Sequence, residues 1–265
     1  MSNTAEDRVY GMEELQEIGT DMLRHVVEIC ERENIHYCLF FGSMLGAVRH
    51  HGPIPWDYDI DIAVHEDELN RFLAAMEREL PKKYWVDFRS SVDTPKCFPR
   101  IGLTGYDTHS LHIDVYRMVG FPDSLKKSKA IVKYGRLLLE MKLVKNADLE
   151  DYSGKKKKKI KSLRKLLVFT SPEFITKRFD ALCRRYSFAK CNKVGLNACK
   201  GGIRYIYDRE MIQDTILVDY LDFQVRIPRE YDRILRSFYG DYMKPPRQEL
   251  IDAEMNREYR IRALR

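Results

Sequence analysis

Apolar residues recur at helical spacing from Met12 to Asn34, where Leu15, Ile18, Met22, Val26, Ile29 and Cys30 fall on one face. That period predicts a helix with one buried stripe. The next run, HYCLFF at 36–41, is continuously aromatic and aliphatic and ends at Gly42-Ser43. It reads as a buried strand turning tightly into a short helical stretch, Met44 to Arg49. After the breakers Gly52, Pro53 and Pro55, the stretch PIPWDYDIDIAV (53–64) alternates. On an extended chain Asp57, Asp59 and Asp61 point one way while Tyr58, Ile60 and Ile62 point the other. Helical periodicity returns over Asp67 to Leu80, with Leu69, Phe72, Leu73, Met76 and Leu80 inward. Short strands are predicted at Tyr84 to Arg89, Phe98 to Leu103 and Leu111 to Met118. In the last of these, LHIDVYRM, His112, Asp114 and Tyr116 share one face and Ile113 and Val115 the other. The pattern is helical from 125 to 188, and SPEF at 171–174 opens a fresh helix with Ser171 as N-cap and Pro172 at the first position. Strands at Arg204 to Tyr207 and Phe223 to Ile227 follow, then a helix from Pro228 to Tyr239 stopped by Gly240.

This order of elements is of the α+β class. With 265 residues, 44% of them hydrophobic, the chain can bury a sizeable core. The expected division is a catalytic core over 1–123, a basic helical region over 124–190, and a C-terminal part over 191–265 that completes the core. No apolar stretch reaches the roughly 20 residues of a membrane span, and the polar, acidic N-terminus lacks the features of a targeting segment. The expected location is therefore the cytoplasm, with peripheral contact at the inner face of the membrane. Six cysteines form no C-x-x-C pair, so no zinc site or disulfide framework is indicated.

Charge changes the picture more than composition does. The net +6 conceals fifteen Lys or Arg against four Asp or Glu between Ser124 and Thr170, including KKKKK at 155–159. Ile160, Leu163, Leu166 and Leu167, set among Lys161, Arg164 and Lys165, make a short amphipathic basic helix of the kind that lies on anionic headgroups. Residues 124–170 are therefore expected to touch an anionic membrane. Nucleic acid ranks below this as a partner, because no aromatic residues interleave the pentalysine.

Candidate chemistry gathers at two places. A small-residue G-S turn after one strand, followed by a second strand bearing D-x-D, is a recurring way to hold a nucleotide phosphate beside a divalent metal. Gly42 lets the backbone approach, the Ser43 hydroxyl and neighbouring N–H groups contact oxygens, and the aspartates take the metal. Three like charges so close on one face otherwise repel. A third carboxylate from a neighbouring strand completes such a site as a ligand or as a base; Asp114 is the candidate.

The stretch FGSMLGAVRHHGPIPWDYDIDIAV at 41–64 resembles the central motif of the LicD family, which includes the fukutin-related glycan phosphotransferases of the nucleotidyltransferase superfamily. LHIDVYRM resembles the family's later I-D strand, and RIPREYDRILRSFYGDYMKPP at 226–246 its C-terminal helix ending in Y-G-D-Y. The resemblance implies a nucleotidyltransferase-like mixed sheet flanked by helices. It also implies transfer of a phospho-alcohol, such as phosphocholine, from a CDP-activated donor to a hydroxyl of a cell-surface glycan or lipopolysaccharide precursor, some of them lipid-linked. CMP would leave. Gly42 and Ser43 would face the donor phosphates, Arg49 and Trp56 would hold the nucleotide, and Asp57, Asp59 and Asp61 would bind Mg²⁺, with Mn²⁺ as the substitute. Asp59, Asp61 and Asp114 would be catalytic, Asp114 as further metal ligand or base. Arg100, in PRIGL, adds a positive contact for phosphate. The chain departs from the family at Tyr58, where a third consecutive aspartate is common, and at VYRMVG, where F-P-L-D is common. Two alternatives stand beside this reading: transfer of the nucleotide itself, and an inactive nucleotide- or RNA-binding module.

Overall fold

The amphipathic N-terminal segment forms helix α1 (Met12–Glu33), preceded by the short strand β1 (Arg8–Tyr10). Met22, Leu23, Val26 and Cys30 are buried along its inner face. Asn34 ends it with φ 52°, a left-handed conformation that Asn tolerates better than most residues. The computed structural model describes residues 8–87, 98–106, 111–147, 149, 152–197, 202–257 and 259–261.

The chain continues through β2 (Tyr37–Leu39), α2 (Phe41–His50), β3 (Ile60–His65), α3 (Leu69–Glu79), β4 (Tyr84–Asp87), β5 (Arg100–Leu103) and β6 (His112–Phe121). Three helices come next: α4 (Leu125–Asn146), α5 (Gly154–Leu166) and α6 (Pro172–Cys183). The remainder is β7 (Lys193–Leu196), β8 (Ile206–Asp208), α7 (Arg209–Gln213), β9 (Thr215–Tyr220), β10 (Phe223–Pro228), α8 (Tyr231–Tyr239), α9 (Gln248–Met255) and β11 (Tyr259–Ile261).

Two compact units divide this mixed α/β chain, one of Met1–Val86, Arg100–Tyr116 and Glu210–Arg265, the other of Asp87–Pro99 and Arg117–Arg209. In the first, the strand order is β2-β3-β6-β5-β4. Strand β2 runs antiparallel to β3 with Leu39 opposite Ile62, and β5 antiparallel to β6 with Arg100 opposite Asp114. Ile62, Ala63 and Val64 are all buried, so β3 is covered on both faces and reads as an apolar run after Asp61. Strands β9 and β10 form a hairpin, and β1 pairs with β11. In the second unit, the end of β6 pairs with β7 and β7 with β8. Val119, Phe121, Val132, Leu138, Ile175 and Phe179 form its core. Ser171 caps α6 by accepting from the Phe174 N–H at 3.1 Å, with Pro172 in the first turn.

The helical and strand periods are largely realised, with shifts at the ends. The helix expected from Pro228 starts at Tyr231, because Pro228 closes β10 opposite Thr215. The second unit takes in the end of β6 together with β7 and β8. The acidic stretch is the larger difference: β3 begins only at Ile60. The Asp57 N–H turns back to the Ile54 carbonyl at 2.9 Å, and the Asp59 N–H bonds the Asp57 carboxylate at 3.1 Å. Such local bonds compete with a strand ladder. Asp57 and Asp59 therefore sit on a turn that leads into the strand.

Candidate active site

The site starts with a backbone distortion. Phe41, the first residue of α2, has φ 46°, a conformation costing a bulky residue about 1–3 kcal/mol. Packing holds it there: its ring lies 5.0 Å from Phe40, 5.1 Å from Tyr116 and 5.2 Å from Phe238, centre to centre. The sharp turn brings the first turn of α2 against the acidic segment. A Cβ on Gly42 would lie 3.2 Å from Asp57 Oδ2, so Gly42 admits the carboxylate beside a helix N-terminus, where negative charge is favoured.

Ser43 is buried, and its hydroxyl works on the acidic segment itself. Ser43 Oγ accepts from the Asp61 N–H at 2.8 Å and donates to the Asp59 carbonyl at 3.4 Å. Gln16 of α1 pins the preceding turn by donating to the carbonyls of Ile54 and Asp57, both at 2.8 Å. A close approach completes the support: a Cβ on Gly46 would meet the Gly52 carbonyl at 2.5 Å. Helix α2 and the 52–57 turn thus fit together only with glycine there.

Asp57 lies between two spaces. One, of about 10 Å³ and lined by Gln16, Gly42, Ser43, Asp57 and Asp59 among others, is the size of a single water or ion. The other is a cleft of about 350 Å³ that Gly42, Arg49, Trp56 and Asp57 share with Tyr239, Asp241, Tyr242 and Lys244. Burial pushes the Asp57 carboxyl up to about 6; the charges of Asp59 and Glu254 push the same way, and the hydrogen bond from the Asp59 N–H opposes them. Arg49 stands 5.6 Å over the Trp56 ring and donates to the Tyr242 carbonyl at 2.7 Å. Partial burial lowers its pKa from the ordinary value. Tyr242 is itself anchored through its hydroxyl to Asp232 at 2.8 Å.

The other predicted residues fall elsewhere in this unit. Asp61 is on β3 with its backbone clamped between Ser43 and Phe40. Asp114, on the adjacent strand β6, is buried with Arg100: Arg100 Nε donates to Asp114 Oδ1 at 2.9 Å, and His112 Nε2 lies 3.1 Å from the same oxygen. Arg100, Asp61 and Asp114 line neither of the two spaces described. Gly42, Ser43, Arg49, Trp56 and Asp59 are thus gathered around Asp57, while Arg100 and His112 meet at the buried Asp114. The tyrosines and Lys244 of the cleft escape sequence reasoning as site residues; the Y-G-D-Y motif at 239–242 is the signal that marks them.

Among the residues lining the small space, Asp57 and Asp59 carry carboxylates, the ligand type that suits a hard cation such as Mg²⁺. No three of Asp57, Asp59, Asp61 and Asp114 bring carboxylate oxygens within 4.8 Å of one another. Among the described residues, the trio that does so is His36, His65 and Glu68. There the Glu68 carboxylate is already engaged by the His36 N–H at 3.0 Å and by Arg71 at 3.3 Å, an anchor for the start of β2.

Residues 34–142 match the family model described as LicD/FKTN/FKRP, nucleotidyltransferase domain. The chain is similar over most of its length to the lipopolysaccharide cholinephosphotransferase LicD of Haemophilus influenzae. The two are 26% identical over 250 residues, covering 90% of this chain and 93% of that one. A shorter stretch of 46 residues, 17% of this chain and 9% of the relative, is 44% identical to the ribitol 5-phosphate transferase FKRP of Homo sapiens.

Proposed function

We propose that the chain transfers a phospho-alcohol, phosphocholine or a similar unit, from a CDP-activated donor to a hydroxyl of a cell-surface glycan or lipopolysaccharide precursor. The carrying observation is the cleft in which Arg49 and Trp56 adjoin the half-buried Asp57 carboxylate at the start of α2, inside a domain whose relatives are named for moving phosphocholine and ribitol phosphate. The acceptor hydroxyl attacks the phosphorus bearing the alcohol, the bond from that phosphorus to the bridging oxygen breaks, and CMP leaves with that oxygen. Asp57 and Asp59, with Asp61 from β3, are the residues that would hold Mg²⁺ or Mn²⁺, and the ion would supply charge neutralisation for the donor phosphates.

The chain's own residues then divide the work. Trp56 stacks on the nucleobase and Arg49 meets donor phosphate from one wall of the cleft. The first-turn N–H groups of α2 at Gly42 and Ser43 face phosphate oxygens, while the Ser43 hydroxyl holds the acidic segment. Asp114, on the strand beside that of Asp61, is the carboxylate to which we assign the proton of the attacking hydroxyl. Arg100, whose Nε donates to Asp114 Oδ1, is assigned the role of orienting that carboxylate. A nucleotidyltransferase-like core accounts for this layout.

The test is incubation with a panel of CDP-activated alcohols and a glycan acceptor, following CMP release. Stoichiometric CMP and alcohol-phosphate transfer support the assignment. Release of pyrophosphate from a nucleoside triphosphate, with no CMP from any CDP-alcohol, overturns it in favour of nucleotidyl transfer.

A further inference from the structure

The corner where α5 ends and α6 begins carries apolar side chains that nothing covers. Leu166 is 79% exposed, Val168 63%, Phe169 100% and Phe174 55%. Exposure of several large apolar residues in one short segment marks an interaction surface. The segment is ordered by its own hydrogen bonds: the N–H groups of Leu167, Val168 and Thr170 bond back to the carbonyls of Leu163, Lys165 and Leu167 at 3.1, 3.4 and 2.9 Å. Side chains from α4 and α5 fix it further. Lys145 Nζ donates to the Leu167 carbonyl at 3.3 Å, and Arg164 Nε donates to the Val144 carbonyl at 2.8 Å. Phe169 therefore projects from a braced turn.

The surroundings are basic. From residue 154 to residue 178 there are ten Lys or Arg and a single acid, Glu173. Lys161, Lys165, Lys177 and Arg178 flank the apolar tip as exposed cations, and Arg178 lies 5.8 Å over the Phe174 ring. An apolar wedge ringed by cations is complementary to an anionic bilayer, whose headgroups pair with the charges while the wedge enters the acyl boundary. No helix of the described residues is long and apolar enough to cross a membrane, so the contact is peripheral.

We propose that the α5–α6 corner, with Phe169 at its tip, docks the protein on anionic lipid bilayers. The contact stands apart from the transferase reading, since it is measured without donor or acceptor. The experiment is flotation of the full chain with vesicles of phosphatidylcholine alone or with about one third phosphatidylglycerol, repeated for the Leu166→Ser/Phe169→Ser variant. All altered side chains are exposed, and an unchanged melting temperature verifies folding. Expected are binding to the anionic vesicles only, weakening in high salt, and a loss of roughly tenfold or more in partitioning for the double variant. In a separate Phe169→Trp protein, indole emission should shift to the blue with anionic vesicles. Equal partitioning of variant and wild type, binding to neutral vesicles alone, or an unmoved indole spectrum overturns the proposal. So does self-association or RNA binding through this corner without vesicle binding.

Discussion

Replacing Asp57 by Asn is expected to stabilise the ion-free protein while abolishing transfer. The Asp57 carboxyl, ordinarily ionising near 3.8, is pushed up to about 6 by burial, with the Asp59 and Glu254 charges adding to it. The folded state then holds a proton that the unfolded chain releases between these two values, so native stability falls as pH rises through that window and the penalty is complete above it. Full ionisation at neutral pH corresponds to about 3 kcal/mol, and partial solvation reduces this to about 1–3 kcal/mol. Asn keeps the shape beside Gly42 and keeps an oxygen to accept from the Asp59 N–H, so the gain is not offset by a lost bond. The assay is urea denaturation of both proteins with chelator present. A gain of about 1–3 kcal/mol is expected near pH 7.5, shrinking toward zero below about pH 4, where both states of the wild type are protonated. Millimolar Mg²⁺ should raise the wild-type midpoint and leave the variant's nearly unmoved. A variant no more stable than wild type near pH 7.5 refutes the reasoning that Asp57 is a charge held against its surroundings until a cation arrives.

Four further outcomes follow from the same geometry. Asp59→Asn should lower transfer by about a hundredfold or more with an unchanged circular dichroism spectrum; full activity would remove metal from the mechanism. Trp56→Ala should raise KM for the CDP donor by roughly tenfold or more through lost base stacking, with a smaller change in kcat; an unchanged KM would leave Trp56 as packing only. Arg100→Leu removes the guanidinium from the buried Asp114 and should cost about 3–5 kcal/mol in denaturant titrations, with much of it recovered in the Arg100→Leu/Asp114→Leu double variant. Gly46→Ala forces the Gly52 carbonyl away from α2, and a loss of about 1–3 kcal/mol is expected from thermal melts; an unaltered melting temperature would show that the 52–57 turn yields freely.

How much was legible beforehand is clearest at three places. Helix α1 and the Ser171-Pro172 start of α6 were readable because period and cap chemistry are local properties of a few neighbouring residues. Strand β3 was readable from Ile60 onward, yet the alternation of Asp57 and Asp59 suggested that residues 57–59 also belong to the strand. There the Asp57 N–H instead bonds the Ile54 carbonyl and the Asp59 N–H bonds the Asp57 carboxylate. The cleft wall at Tyr239–Lys244 was unreadable as a site because those residues meet Arg49 and Trp56 from nearly two hundred positions along the chain.

Local chemistry in the sequence was enough to pick out the acidic row after a small-residue turn as the candidate motif, and the basic character of 124–170. Periodicity, charge and backbone preference act over a few bonds and need no fold to be read. Tertiary packing alone decided what each group does. Aromatic contacts hold Phe41 in its left-handed turn, Ser43 faces backbone inside the protein, Asp114 lies opposite Arg100 through strand register, and burial raises the Asp57 carboxyl. Each of these depends on which distant atoms exclude water from the group, and that is a property of the folded chain.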